Sequence, residues 1–206
     1  MAYNVEEQQD IDNFKHFWQR GGKWLFVVLL LAALAYLGFV LNKNHIKSQN
    51  EQAAALAYQY VEKSSQKDAT ALADLKTLQE QYGQSFGATE ATLMAAAQAF
   101  DDKKYDQTEK HLLWVQKNHQ DVFIQALANQ RLAVLKLQQQ QFDAALKYAD
   151  AAVLFELKSM MLETKGDILV AKGDKAKAKE AYAAALKGLD EKTAPNYELL
   201  KFKAEQ

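Results

Sequence analysis

One uninterrupted apolar run dominates the N-terminal part of the chain. Residues 24–41 read WLFVVLLLAALAYLGFVL and contain no charged residue. At about 1.5 Å per residue, a helix of this length nearly matches a hydrocarbon core of about 30 Å. Trp18 and Trp24 stand where an interfacial aromatic belt would lie. The pattern predicts a transmembrane helix over 24–41, preceded by a tail of residues 1–23.

Two other readings of this run are disfavoured. A buried core helix would not be apolar on every face with charges only outside it. A cleaved signal peptide would end in a small-x-small site, whereas this run is followed by Asn42, Lys43, Asn44 and His45. Acidic residues, Glu6, Glu7, Asp10 and Asp12, also precede it. We therefore predict an anchor that remains in the mature protein.

The basic residues on the two flanks predict the orientation of this anchor. Three of them, Lys15, Arg20 and Lys23, precede the apolar run, and two, Lys43 and Lys47, follow it. The excess of positive charge favours a cytoplasmic tail, and a long domain that follows is exported with little regard to its charge. In a bacterium, residues 42–206 would then lie in the periplasm.

Apolar residues recur with helical periodicity through most of residues 42–206. One stripe contains Ala53, Leu56, Ala57, Tyr60 and Val61, and a second contains Leu72, Leu75, Leu78 and Tyr82. Breaks in the pattern fall near residues 64–67, 83–87, 101–104, 118–120, 138–141, 172–174 and 188–195. Strand alternation is not sustained anywhere. The predicted fold class is all-α.

A repeat with a period near 34 residues underlies these helices, which is typical of tetratricopeptide hairpins. The clearest unit runs from 159 to 190, an earlier unit covers 126–153, and a degenerate third lies before them. Small residues let paired helices approach, and larger residues fill the space between them. The predicted packing positions are Ala96, Thr108, Leu132, Ala133, Ala145, Ala152, Gly166, Leu169, Ala178, Tyr182 and Ala185. Residues 46–82 and 196–203 are expected to add capping helices.

Composition narrows the chemistry of this domain. The whole chain has 26 acidic and 25 basic residues, of which four acidic and three basic residues lie in 1–23. The remainder of the chain therefore has 22 of each and is formally neutral. A nucleic-acid binder needs a basic face, so nucleic acid is disfavoured as a partner. Cysteine is absent, which excludes thiolate metal sites and cysteine nucleophiles. His111 and His119 would need further ligands to hold a metal, and we read them as surface residues.

Stacked helix hairpins usually offer a concave surface that holds a peptide or a partner helix. If the repeat register is right, first helices of the hairpins present a mixed, mildly acidic groove. Its candidate residues are Glu90, Leu93, Ala97, Gln130, Val134, Glu163 and Asp167. No phosphate-binding loop, nucleophile elbow or HExxH motif is present, so we predict no catalytic residue and no cofactor.

The order of these parts resembles that of the YfgM-like ancillary subunits of the SecYEG translocon. The resemblance rests on FKHFWQRGGKWL before the anchor, NEQAAALAYQ after it, and RLAVLKLQQQQFDAALK and KGDILVAKGDKAKAKEAY in the repeats. It covers nearly the whole chain. The resemblance implies an inner-membrane protein whose periplasmic domain sits beside the translocon. It also implies a membrane-anchored prolyl isomerase and periplasmic chaperones as partners, and a tail that meets a cytoplasmic stress-response regulator.

Other functions stay open on the sequence. The same repeats would suit a cell-envelope assembly factor that recruits a different membrane complex. A hydrolase with an unrecognised site is a third reading.

Overall fold

The chain is described by a computed structural model that covers residues 3–151 and 155–206. Every regular element among these residues is helical. The helices are α1 (Tyr3–Phe17), a π-helical turn (Trp18–Gly22), α2 (Lys23–Ser65), α3 (Ala71–Gln81), α4 (Phe86–Asp101), α5 (Tyr105–Asn118), α6 (Val122–Gln138), α7 (Phe142–Ala149), α8 (Phe155–Lys172), α9 (Lys175–Leu186) and α10 (Tyr197–Glu205). The all-α prediction is confirmed. The chain divides into two compact units, residues 1–49 and 50–206.

The first unit contains α1, the π-helical turn and the apolar part of α2. The sequence pattern assigned no helix to the tail, yet α1 occupies most of it. The two helices are separated at Gly21, whose φ of 143° is a conformation that other residues rarely adopt. No breaker follows residue 41, and the helix continues through the polar residues 42–50 to Ser65.

The second unit is a series of antiparallel helix pairs. Helix α4 pairs with α5, α6 with α7, and α8 with α9, while α10 packs on α9. Helices α6 and α8 also contact each other, as first helices of successive hairpins do. The C-terminal part of α2 joins α3 and α4 in a core that includes Ala53, Tyr60, Leu75 and Leu78.

The hairpins close with the same turn geometry. Lys67, Lys103, Gln140 and Gly173 follow the C-terminal ends of α2, α4, α6 and α8, respectively, and have positive φ. In each turn the next amide donates to a carbonyl five residues back, as from Lys104 to Ala99 (2.8 Å), Gln141 to Lys136 (2.8 Å) and Asp174 to Leu169 (2.9 Å). This is a Schellman closure, which satisfies carbonyls left over at the helix end. The repeat is therefore visible in the backbone even where glycine is missing.

The predicted packing positions are mostly inside this unit. Ten of them are buried: Ala96, Thr108, Leu132, Ala133, Ala145, Gly166, Leu169, Ala178, Tyr182 and Ala185. Ala152 lies outside the described residues. The periodicity shows no break between 141 and 172, but the predicted repeat units, 126–153 and 159–190, require a boundary there, and the structure has α7 over Phe142–Ala149 and α8 over Phe155–Lys172. The segment AAVLFELK has no glycine or proline to mark the boundary.

Candidate functional site

An open apolar groove lies between α4 and α6. It has a volume of about 640 Å³ and is lined by Phe86, Glu90, Leu93, Met94, Phe123 and Arg131, among other residues. The two phenylalanines keep 64% and 50% of their surface exposed, and Met94 is also exposed. Large apolar side chains left in solvent within a concavity are typical of sites that bind peptide or protein.

The two phenylalanines are placed by the caps that start their helices. The Ser85 hydroxyl accepts a hydrogen bond from the Ala88 amide at 3.1 Å, which caps α4. The Asp121 carboxylate accepts from the amides of Phe123 (2.9 Å) and Ile124 (3.1 Å), which caps α6. Such caps satisfy amides that have no partner within the helix. Phe86 and Phe123 therefore project from the first turns of two fixed helix ends.

Arg131 is the cation at the base of this groove. It is half-buried, and its guanidinium Nη1 donates to the Leu93 carbonyl oxygen at 3.1 Å, which ties α6 to α4. Burial lowers the pKa of the Arg131 guanidinium from its ordinary value, because a charge is less stable away from water. The group nevertheless stays charged at any physiological pH. The guanidinium carries several N–H donors, and its hydrogen bond to the Leu93 carbonyl uses one of them.

A second cavity of about 290 Å³ adjoins the groove and shares Ala97 and Arg131 with it. Its other lining residues include Phe100, Leu112, Gln130 and Val134. Arg131 therefore faces an apolar space on each side. A bound segment could place apolar side chains in both spaces and a carbonyl or carboxylate oxygen at the guanidinium between them.

Five of the seven predicted groove residues line these two cavities. Glu90 and Ala97 are exposed, and Leu93 is buried in the floor. Gln130 and Val134 are half-buried and line the second cavity. The Gln130 amide also donates to the Thr164 hydroxyl at 3.3 Å, which connects α6 with α8. Whether these residues contact a partner stays a prediction.

The other two, Glu163 and Asp167, are engaged by the C-terminal helix. The Lys203 ammonium group lies 3.0 Å from Glu163 Oε1 and 2.9 Å from Asp167 Oδ1. The Asn196 amide donates to Glu163 Oε2 at 3.1 Å, and the Tyr182 hydroxyl donates to Asp167 Oδ1 at 2.7 Å. These carboxylates therefore hold α10 in place and are separate from the two cavities.

Both Lys203 and Tyr182 have raised pKa values within this network. Burial opposes the charge on Lys203, but hydrogen bonds to Asp167 and Glu163 outweigh it and raise its pKa. For Tyr182, burial and then the hydrogen bond to Asp167 raise the pKa. The lysine also lies 5.5 Å from the centroid of the Tyr182 ring. Both groups are therefore held more firmly in their protonated forms.

Most of the residues that line the groove were not predicted from the sequence, among them Phe86, Met94, Phe123 and Arg131. A signal for the phenylalanines existed in their position one or two residues after a Ser or Asp cap. Nothing local distinguishes Arg131 from an ordinary surface arginine, since its burial depends on α4 packing beside it. Among residues 3–151 and 155–206, no group of three or more metal-ligating side chains is arranged to hold an ion.

The described part of the chain has one helix long and apolar enough to cross a membrane. It includes α2, and none of its most apolar window is buried within the structure. A core helix of a soluble domain would cover most of that surface. That helix contains the predicted span over 24–41, whose bounds stay a prediction.

Comparison with known proteins identifies the family. The model of the tetratricopeptide repeat-like domain family matches residues 15–206. The ancillary SecYEG translocon subunit of Neisseria gonorrhoeae is 51% identical over 152 residues, which are 73% of this chain and 73% of that protein. The protein of the same name from Haemophilus influenzae is 26% identical over 146 residues, 71% of this chain and 72% of its own. No solved structure matches significantly. The chain therefore belongs to the family of ancillary SecYEG translocon subunits, which is built on a tetratricopeptide repeat-like domain.

Proposed function

We propose that this protein is a non-enzymatic interaction scaffold at the SecYEG translocon, and that the groove between α4 and α6 is its contact face. The observation that carries the proposal is the exposure of Phe86, Met94 and Phe123 around the half-buried Arg131. The names of the two curated relatives supply the translocon as the complex to which it belongs. The groove fits an apolar stretch of polypeptide.

The expected strength of such binding follows from the area available. Covering a phenylalanine side chain fully is worth about 1.5–3 kcal/mol, and both aromatic residues are already partly covered. Association also costs entropy, so only part of that gain remains. Hydrogen bonds from Arg131 to an oxygen of the bound chain would fix the orientation of that chain in the groove. This combination suits weak, reversible contact with a passing segment.

The membrane arrangement is part of the proposal. Residues 24–41 would span the inner membrane once, with residues 1–23 in the cytoplasm and residues 42–206 in the periplasm. The charge bias of the flanks and the exposed apolar surface of α2 support this arrangement. It would place the groove on the side where exported chains emerge.

Further partners are proposed from the family resemblance. The groove would help pass exported proteins to periplasmic chaperones, working beside a membrane-anchored prolyl isomerase. The tail would make a regulatory contact with a cytoplasmic stress-response regulator. The open, apolar character of the groove supports the first of these roles, because an unfolded chain presents short apolar segments without a fixed shape.

Affinity purification of the full chain from native membranes in a mild detergent tests the translocon role. We expect translocon subunits to copurify with the natural chain and to be depleted severalfold from a Phe86→Asp, Phe123→Asp double variant. Lys147→Asp, at an exposed position on α7, is the matched control and should retain them. Recovery of only other envelope complexes would overturn the translocon assignment and favour an envelope assembly factor.

A further inference from the structure

The tail helix carries an apolar arc beside the membrane anchor. Ile11, Phe14, Phe17 and Trp18 are all exposed. At about 100° per residue, these four positions fall within roughly 120° of the helix circumference. The opposite side carries Asp12, Asn13, Lys15 and His16, which are also exposed. The last turns of α1, together with Trp18 at the start of the π-helical turn, therefore form a short amphipathic segment whose apolar side is uncovered within the first unit.

Aromatic contacts connect this arc to the anchor. The rings of Phe14 and Trp18 are stacked, with centroids 6.0 Å apart and planes at 27°. The centroid of the Trp18 ring in turn lies 5.9 Å from that of Phe26, and Phe26 is two residues after the start of the predicted span. The apolar surface of the tail is thus continuous with that of α2.

The connection is short and has a defined shape. Gly21 and Gly22 separate the arc from α2, and the φ of Gly21 interrupts the regular helix. A side chain on Gly22 would lie 2.5 Å from Cε1 of Phe17, so the close approach at this turn depends on glycine. A segment joined in this way to a membrane-spanning helix cannot be more than a few residues from the bilayer surface.

We propose that residues 11–18 lie in the membrane interface, with the apolar arc among the lipid headgroups and upper acyl chains. The inference rests on the membrane anchor of the proposed function. Residues 11–23 contain three basic residues, Lys15, Arg20 and Lys23, against the single acid Asp12. This charge suits an anionic headgroup layer, and tryptophan and phenylalanine are favoured at that depth.

The consequence concerns what the tail can offer to other molecules. Its polar side would face the aqueous phase, while the four apolar side chains would be withdrawn into lipid. A soluble partner would then meet Asp12, Asn13 and His16 rather than Phe14 or Trp18. The helix would also fix the direction in which the tail leaves the anchor.

Site-directed spin labelling tests this arrangement directly, because the chain has no native cysteine. Single cysteines replace Ile11 or Phe14 on the apolar arc, Asn13 or His16 on the polar side, and Leu30 within the span. Each full-length variant is labelled with a nitroxide in vesicles of phosphatidylethanolamine and phosphatidylglycerol. The collision rate of the label with oxygen is compared with that of a water-soluble nickel chelate.

We expect labels at 11 and 14 to give an oxygen-to-nickel ratio severalfold above those at 13 and 16, with Leu30 highest. Equal ratios at the four tail positions, with a high ratio at Leu30, would overturn the interfacial helix while leaving the anchor intact. Protection of positions 11 and 14 from both reagents would also overturn it, because the arc would then be covered by protein. A low ratio at Leu30 would contradict the anchor itself.

Discussion

Gly166 of α8 faces the ring of Tyr182 on α9, and the two helices approach so closely that a Cβ at position 166 would overlap that ring. Tyr182 is 3% exposed, and its hydroxyl is held by Asp167, the residue after the glycine. The hydrogen bond and the surrounding packing therefore restrict movement of the ring away from position 166. The last complete hairpin is fixed by this contact.

Replacing Gly166 with alanine should destabilise the domain. Alanine is favoured over glycine by about 1 kcal/mol within a helix, but overpacking in a rigid core costs about 1–3 kcal/mol. We expect the steric cost to prevail and the free energy of unfolding to fall by up to about 2 kcal/mol, measured by urea denaturation of the full chain in detergent. The control is Gly188→Ala, where the nearest atoms to a new Cβ are 3.7 and 3.8 Å away. A Gly166→Ala variant as stable as its control would contradict the packing account.

The turn after α6 offers a stabilising change. Gln140 has a φ of 59°, which costs a residue other than glycine about 1–2 kcal/mol. Gln140→Gly should therefore raise the free energy of unfolding by about 0.5–1 kcal/mol, since glycine also loses more entropy on folding. Gln139→Gly, at a neighbouring position with a φ of −82°, should lower it. Equal effects of the two variants in chemical denaturation would show that the left-handed conformation is unimportant.

The docking of α10 depends on Lys203. Lys203→Met removes the ammonium group that pairs with the carboxylates of Glu163 and Asp167, so both carboxylates lose their ion pair with α10. We expect α10 to be held about 1–2 kcal/mol less firmly, which corresponds to roughly a tenfold loss of hydrogen-exchange protection in its amides. Lys201→Met, at an exposed position on the same helix, should leave protection unchanged. Unaltered exchange in the Lys203 variant would remove the bridge as the reason for docking.

Alkaline pH should destabilise the second unit. Burial and the hydrogen bond to Asp167 raise the pKa of Tyr182, and burial raises that of Tyr60. Above about pH 10 an unfolded tyrosine loses its proton, whereas these two retain theirs, so the folded state binds more protons and stability falls as pH rises. The raised pKa of Lys203 acts in the same direction.

Tyr182→Phe should make this alkaline decline less steep, by at most about 1.4 kcal/mol per pH unit. Tyr58→Phe is the control, because Tyr58 is 72% exposed. The measurement is the free energy of unfolding at several pH values above 9 for the three chains. An unchanged slope in Tyr182→Phe would contradict the assignment of that proton.

Local sequence signals explain how much of the fold could be predicted. The apolar run over 24–41 predicts the anchor, and the small residues Gly166 and Ala178 made the last hairpin readable. The start of α8 was not, because residues 150–158 continue an apolar pattern without glycine or proline. A helix that ends near 64–67 was predicted after the anchor, but its unbroken connection to the anchor through residues 42–45 was not, because a polar stretch was taken as the end of the first helix and polar residues alone do not end a helix.

The site was less predictable than the fold. The predicted positions Glu90 and Ala97 follow from helical register alone. The burial of Arg131 depends on Leu93, 38 residues away in sequence, and the pairing of Glu163 depends on Lys203, 40 residues away. Such contacts are set by how hairpins stack, which a single sequence does not specify residue by residue.

Photocrosslinking in native membranes tests the central claim, that the groove between α4 and α6 is the contact face. Photoreactive residues are placed at Glu90, Ala97 and Phe123 in the groove, and at Lys110 and Lys147 on exposed surfaces of α5 and α7. We predict adducts to translocon subunits or exported chains from the three groove positions and few or none from the two lysine positions. Adducts of equal yield from both sets, or adducts from the lysine positions alone, would contradict the claim.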